Sequence, residues 1–336
     1  MRRSPAEHTA GRREPVKQPP ARLVVAGTVL VDILLYLDSH PNPGEVRIAR
    51  GAVVSPGAGY NLLRTAVGLG LPAALLGLVG DGPFGRIVRD SLAELGVSVL
   101  LPVRGRIDTG FDVGLVQLGV DSQPSFVGSP GVEVELALED LRGVRLEPGD
   151  AVYVSGYDLW HEGAGQALAE WLGDLGDDQL VVMDPGPLVA QIPVGRLEAA
   201  LSRADVVSSN LAEARALAGP LARAMHGPEL CEAIGDLLRP GAVAVVRAGA
   251  QGCWVAGAHG DVSYIQPRPA LPQDTTGAGD VHVATFLTRL ARGDDPFEAA
   301  RWANVAASMA VERLGSSEAP SEEELRRELA KYRGGR

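Results

Sequence analysis

The chain is poor in cysteine and has no long hydrophobic run. Its two cysteines, Cys231 and Cys253, lie far apart, so they form neither a metal-type pair nor a disulfide framework. This usage predicts a protein of the reducing cytoplasm. No segment approaches the length of a membrane span, and hydrophobic and charged residues make up 46% and 22% of the chain. We therefore expect a globular protein that makes no contact with a membrane.

Positive charge is also in deficit. The chain has 31 Lys and Arg against 42 Asp and Glu, which gives a net charge of −11 and a sequence pI near 5.1. A protein that binds a nucleic-acid backbone needs the opposite balance. We therefore expect a small-molecule substrate and no nucleic-acid partner.

Two common nucleotide-binding motifs are missing. No GxxxxGK[ST] sequence occurs, which excludes a Walker-type phosphate loop. The run Gly57–Leu62 reads GAGYNL and lacks the third glycine of a dinucleotide fingerprint. A dehydrogenase is therefore a poor interpretation.

Residues 1–20 are polar, contain proline and show no periodicity, which predicts a disordered tail without a secretory signal. From residue 21 to about 332, short apolar runs alternate with helical segments, as in a mostly parallel α/β sheet with helices on both faces. Predicted strands cover 22–27, 46–54, 73–80, 111–118, 151–156, 179–184, 204–210, 242–249 and 252–257. Segments 44–56 and 110–130 are predicted to form a small β lid over the substrate.

The stretch from Leu271 to Gly293 organises the rest of the chain. Gly277, Ala278 and Gly279 precede an apolar helix, so its free N–H groups and positive dipole end make an anion site. Asp280 follows in the first turn, where a carboxylate suits proton abstraction from a hydroxyl that attacks the anion. The alternative is an ordinary acidic residue in a first helical turn.

Residues 274–280 read DTTGAGD, which resembles the carboxy-terminal signature of the ribokinase-like PfkB family of sugar kinases. The resemblance implies a three-layer α/β/α fold with a β lid and ATP as phosphoryl donor. It also implies that Asp280 is the catalytic base and that Gly277, Ala278 and Gly279 hold the phosphoryl group. The similarity extends over about residues 21–330.

Residues 55–70 read SPGAGYNLLRTAVGLG, which resembles the first signature of the same family. The resemblance implies that Asp32, Gly57, Gly59 and Asn61 bind the acceptor. Pro56 stands in place of the family's first glycine, and Ala58 stands where ribokinase itself has a lysine. Ribose is therefore not the expected acceptor. Taken alone, Asn61 also fits a helix N-cap.

The remaining candidates concern the nucleotide and cations. Asn210 and Glu213 fit a helix capping box, while the resemblance implies that they act on Mg²⁺ and the phosphates. Further roles rest on the resemblance alone: Arg247, Gly249, Gly252 and Asn304 border the nucleotide, and Asp274 and Thr276 enclose a monovalent cation, K⁺.

The sequence thus predicts an ATP-dependent kinase for a hydroxyl or hydroxymethyl group of a sugar or polyol. A nucleoside kinase remains open, because Tyr157 and Trp160 are placed to stack on a base or simply to pack. So does a non-catalytic, ligand-sensing member of the fold. Apolar residues such as Val46, Ile48, Val113 and Leu115 predict a homodimer through the lid, with a monomeric lid as the alternative.

Overall fold

The computed structural model describes residues 19–118, 125–313 and 319–333. The strands are β1 (Arg22–Ala26), β2 (Val29–Leu37), β3 (Gly51–Ala58), β4 (Ala73–Leu76), β5 (Ser98–Val99), β6 (Phe111–Gln117), β7 (Ser125–Ser129), β8 (Asp150–Ser155), β9 (Leu180–Asp184), β10 (Val206–Asn210), β11 (Val243–Arg247), β12 (Cys253–Ala256) and β13 (Val262–Ile265). The helices are α1 (Gly59–Gly68), α2 (Pro83–Glu94), α3 (Leu138–Arg142), α4 (Gly156–Trp160), α5 (Glu162–Asp174), α6 (Val194–Arg203), α7 (Leu211–Ala218), α8 (Gly227–Gly235), α9 (Ala278–Ala291), α10 (Pro296–Ala310) and α11 (Glu322–Arg333).

Nine strands form the main sheet in the order β13-β12-β11-β10-β9-β8-β1-β4-β5. The strands from β11 to β5 pair in parallel, and β12 and β13 add an antiparallel edge. The α/β class and the mostly parallel sheet predicted from the sequence are therefore confirmed. Ligands of such sheets bind beyond the carboxyl ends of the strands.

Side chains of β1 alternate between two hydrophobic cores, which shows that helices cover both faces of the sheet. Val24 and Ala26 pack in a core that also contains residues of α5, α6 and α8. Leu23 and Val25 pack in a second core with residues of α1, α2, α9 and α10. The sheet is thus the middle of three layers, as a parallel sheet requires.

A separate four-stranded sheet, in the order β3-β2-β6-β7, forms the lid. The prediction of a strand over 46–54 was wrong at its start, since β3 begins at Gly51. Gly51 pairs with Tyr36 near the end of β2, so residues 46–50 have no strand partner in that sheet. The strand β2, one of the two central strands of this sheet, was not predicted from the sequence, and Asp32 lies in its middle.

Other differences are small. The helix predicted from Asn61 begins two residues earlier, at Gly59, and several strands end sooner than predicted. Residues 1–18 of the predicted tail and residues 119–124 of the predicted lid lie outside the described residues. Within the described ranges, no helix has both the length and the apolar character needed to cross a membrane.

Candidate active site

Three neighbouring parallel strands end in polar residues at one edge of the main sheet. Asp184 ends β9, Asn210 ends β10 and Arg247 ends β11, and Asn210 pairs in register with Arg247. Arg247 Nη2 donates to Asp184 Oδ2 at 2.8 Å and lies 3.6 Å from Glu213 Oε2. The guanidinium therefore reaches across β10 and links two acidic side chains.

Helix α9 starts above this edge. Its N-cap, Gly277, has φ of 74°, a left-handed conformation that favours glycine. The amides of Gly279 and Asp280 fall in the first turn, where an α-helix leaves N–H groups without intrahelical acceptors. Such amides are able to bind an anion, and the binding of a phosphoryl group here stays a prediction.

Asp280 occupies this first turn beside Asn61, whose Nδ2 donates to Asp280 Oδ2 at 3.4 Å. Burial raises the pKa of Asp280 to about 7, and the nearby Asp184 carboxylate adds to the rise. Arg247 and the hydrogen bond from Asn61 act in the opposite direction. A carboxyl group with a pKa near neutrality suits a general base at physiological pH.

The lid presents a pair of carboxylates to the crevice. Asp32 on β2 pairs in register with Asp112 on the parallel strand β6. Burial, followed by the charge of Asp112, raises the pKa of Asp32 to about 7. A Cβ on Gly57 would lie 2.0 Å from Asp32 Oδ2, so only glycine leaves room for this carboxylate. The sequence analysis missed Asp112, because only the strand register places it beside Asp32.

Gly59 and Asn61 have different surroundings. A Cβ on Gly59 would lie 2.8 Å from Val25 Cγ1 and 2.9 Å from the Thr28 carbonyl oxygen, so Gly59 lets α1 pack closely against the start of the lid. Asn61 is 3% exposed, and its Oδ1 has no hydrogen-bond partner among the described residues. Asn61 therefore has an unused acceptor next to Asp280.

Asn210 and Glu213 form the capping box that the sequence allowed. Asn210 Oδ1 accepts from the Ala212 and Glu213 amides, and Glu213 Oε2 accepts from the Asn210 amide at 2.7 Å. Burial and the charge of Asp184 raise the pKa of Glu213 to about 7. The cap thus holds a carboxylate at the crevice, and its action on Mg²⁺ stays a prediction.

Residues predicted to border the nucleotide lie in a tight turn and in α10. A Cβ on Gly252, whose φ is 83°, would lie 2.3 Å from the Ile265 carbonyl oxygen. Gly249 has φ of 55° and begins the same turn. Asn304 Nδ2 donates to the carbonyls of Ile265 and Gln266 at 3.1 and 3.2 Å, which joins α10 to the end of β13. Contact of these residues with a nucleotide stays a prediction.

The residues predicted to bind a monovalent cation lie in the loop before α9. Asp274 is buried, and its Oδ1 accepts from the Thr276 amide at 2.9 Å. Among the described residues, no cluster of three or more His, Cys, Asp or Glu could hold a metal ion. The binding of Mg²⁺ and of a monovalent cation at these residues stays a prediction.

The chain is similar in sequence and in fold to known proteins. Residues 20–324 match the model of the pfkB family of carbohydrate kinases. The protein named "uncharacterized sugar kinase YegV" from Escherichia coli is 28% identical over 90% of this chain and 92% of its own length. The "ATP-dependent ribose-1-phosphate kinase" of Halopiger xanaduensis is 28% identical over 89% of this chain and 95% of its own.

Solved structures support the fold independently. The crystal structure of ribokinase from Thermotoga maritima superposes with a TM-score of 0.77 at 22% identity, covering 92% of this chain and 99% of the ribokinase. The resemblance stated from DTTGAGD is thereby confirmed, because the family match extends from before β1 into α11. The chain therefore belongs to the pfkB family of carbohydrate kinases and is a phosphotransferase.

Proposed function

We propose that the protein transfers the γ-phosphoryl group of ATP to a hydroxyl or hydroxymethyl group of an uncharged sugar or related polyol. The observation that carries the proposal is Asp280, which lies in the first turn of α9 and bonds to Asn61. The base is thus next to both the anion site and the predicted acceptor side. The name of the Halopiger relative supports ATP as donor.

In this reaction Asp280 removes the proton of the acceptor hydroxyl, while the oxygen of that hydroxyl attacks the γ-phosphorus. The bond from the γ-phosphorus to the β,γ-bridging oxygen breaks, and the electron pair leaves with ADP. The first-turn amides of α9 stabilise the charge on the transferring group. Mg²⁺ would supply charge neutralisation at the phosphates. Asp32 and Asp112 accept hydrogen bonds from other acceptor hydroxyls and thereby orient the reactive one.

The charge of the lid supports an uncharged acceptor. Asp32 and Asp112 lie side by side, and burial, followed by the charge of Glu133, raises the pKa of Asp112. A phosphorylated acceptor placed against this acidic pair would be repelled, since like charges in a partly buried site interact strongly. The proposed acceptor therefore differs from the phosphorylated sugar in the name of the Halopiger relative.

A nucleoside acceptor is the second candidate. Tyr157 is 51% exposed at the start of α4. Its pKa is raised to about 12 by burial and by the charges of Asp112, Glu213 and Asp184, which lie around the crevice. An aromatic ring so placed provides a surface on which a base can stack.

An ATP-consumption assay across free sugars, polyols, nucleosides and sugar phosphates tests the proposal. We expect turnover with an uncharged polyol, and we expect Asp280→Asn to remove most of it. Turnover confined to sugar phosphates would contradict the assignment of the acceptor. Absence of ATP consumption with every acceptor, together with tight binding of one of them, would favour a ligand-sensing role instead.

We also propose a monovalent cation beside Asp274 and Thr276, which would order the loop before α9 without touching the acceptor. We expect K⁺ to stimulate turnover relative to Na⁺ and to a bulky organic cation at matched ionic strength. Equal rates in the three buffers would remove this part of the proposal. Two free, buried cysteines support a cytoplasmic location.

A further inference from the structure

The guanidinium of Arg247 is largely buried and only partly paired. Its side chain is 13% exposed, and Nη2 forms ion pairs with both Asp184 and Glu213. Nε and Nη1 are also buried and have no hydrogen-bond partner among the described residues. Buried cationic donors are costly unless another charge offsets the loss of hydration. Arg247 therefore has an electrostatic role that its two ion pairs do not account for.

The unpaired side of Arg247 lies against Gly279. A Cβ on Gly279 would be 2.6 Å from Arg247 Nη1 and 3.5 Å from its Cζ. Unlike Gly277, Gly279 is not in the left-handed region, so its backbone conformation alone would accept alanine. An alanine Cβ at this position would therefore displace the guanidinium, which adds positive charge directly behind the first turn of α9.

The charges around Asp280 show why such a cation is needed. Burial raises the pKa of Asp280, and the charges of Asp184 at the end of β9 and of Asp32 on the lid raise it further. Arg247 is the cation that opposes them, while Asn61 contributes a neutral hydrogen bond. A crevice lined by these carboxylates alone would repel the phosphates of a nucleotide.

We infer that Arg247 is a positioning residue that supplies positive charge from behind the anion site, anchored by Asp184 and Glu213 and accommodated by the glycine at 279. This inference rests on the proposed kinase function and extends it. In this role Arg247 acts through the first turn of α9 and through Asp280, and not as the direct neighbour of the nucleotide that the family resemblance implies. Arginine suits the role because its planar fork can pair on one side while presenting its other nitrogens elsewhere.

The test compares Arg247→Met, Arg247→Lys, Asp184→Asn, Gly279→Ala and the double variant Gly279→Ala/Arg247→Met. Binding of the magnesium complex of adenosine 5′-(β,γ-imido)triphosphate is measured by calorimetry, and kcat is measured against pH with the acceptor found for the wild type. Thermal melting identifies any variant that fails to fold, and Arg247→Lys retains the charge in that event.

For Arg247→Met we expect nucleotide affinity and kcat to fall by roughly 10-fold each, less than the ~10²–10³-fold typical of deleting a donor that touches the developing charge. The acidic limb of the kcat profile should move to higher pH in Arg247→Met and to lower pH in Asp184→Asn. Arg247→Lys should recover part of the loss. Gly279→Ala should lower nucleotide affinity and kcat about as much as Arg247→Met does. In the double variant, both quantities should fall little further than in either single variant.

Wild-type affinity, kcat and pH profile in folded Arg247→Met would overturn the inference while leaving the kinase proposal intact. Losses in Gly279→Ala and Arg247→Met that multiply in the double variant would also overturn it, because the two residues would then act independently. A wild-type protein that neither binds the nucleotide analogue nor consumes ATP would overturn the proposed function, and the inference with it.

Discussion

Asn61 and Asp280, 219 positions apart in the sequence, are joined by a hydrogen bond of 3.4 Å. Asn61 lies in the third position of α1, directly after the lid strand β3, and Asp280 lies in the third position of α9. The bond therefore connects the proposed acceptor side of the crevice to the proposed base. It also favours the ionised form of Asp280, since the amide donates to the carboxylate.

Replacing Asp280 by asparagine should preserve the fold and nucleotide binding but reduce kcat by ~10²–10⁴-fold, the usual cost of removing a general base. The amide keeps the size of the side chain but carries no charge and cannot take a proton from the acceptor. Steady-state kinetics and calorimetry with a nucleotide check this. Near-native kcat in the purified variant would show that another group takes the proton.

The pH dependence of kcat should have an acidic limb near pH 7, because burial raises the pKa of Asp280 to about 7. The base must be ionised, so the rate should rise as the pH rises through this value and fall below it. Asp32 and Glu213 also have pKa values raised to about 7, so the profile should be repeated in Asp32→Asn and Glu213→Gln. A rate independent of pH between 5 and 8 would contradict ionisation of Asp280 as the controlling step.

Glu213→Gln should increase the Mg²⁺ concentration needed for half-maximal rate. It should also lower the free energy of unfolding by about 1 kcal/mol, because the capping bonds weaken. The matched control is Glu229→Gln, since Glu229 Oε2 caps α8 by accepting from the His226 amide at 2.9 Å. The control should lose similar stability with an unchanged Mg²⁺ dependence. If the rate depended on Mg²⁺ concentration in the same way in both variants, Glu213 would serve only to cap α7.

Asp112→Asn should raise the KM for the acceptor more than it lowers kcat, because Asp112 is proposed to orient hydroxyls away from the reacting centre. It should also lower the apparent pKa of Asp32, whose ionisation the Asp112 charge opposes. Asp236→Asn, an exposed change at the end of α8, serves as the control. An unaltered acceptor KM in Asp112→Asn would remove this residue from the acceptor site.

The lid should be the dimer interface. Val46, Ile48 and Val127 are 86%, 85% and 72% exposed on or beside this small sheet, and a second lid would cover them. Ile48→Asp should convert a dimer into a monomer by light scattering and weaken the apparent affinity for the acceptor. Leu221→Asp is the matched control, because Leu221 is 89% exposed outside the lid. A wild-type protein that is already monomeric at micromolar concentration would refute the proposal.

The fold class and family could be predicted from the sequence because their signals are local. The alternation of apolar runs with helices requires only neighbouring residues, and DTTGAGD is a continuous string. The lid was predicted less well. Strand β2 reads VLVDILLYL, so its period of two is hidden; Val31 and Leu34, on opposite faces, are both fully buried.

Site residues that depend on register were beyond the sequence. A single aspartate at a strand end, such as Asp184, has no spacing that marks it, and its importance comes from the guanidinium that crosses β10 to reach it. Asp112 becomes a candidate site residue only because the strand register places it beside Asp32. Asp280 and Asn61 could be found because each follows glycines at the start of a helix, and the structure brings them together.

Two of the connections between the lid and the rest of the fold are very short and lie side by side. Gly27 and Thr28 alone separate β1 from β2, and β3 runs directly into α1 at Ala58, whose φ is 52°. The Gly59 amide donates to the Thr28 carbonyl at 3.1 Å, and Asp158 accepts from both the amide and the hydroxyl of Thr28. The two junctions are thus hydrogen-bonded to each other and, through Asp158, to α4. We expect the lid to move as one unit about these junctions. The movement that brings an acceptor bound by Asp32 toward Asp280 would then also shield the acceptor from water.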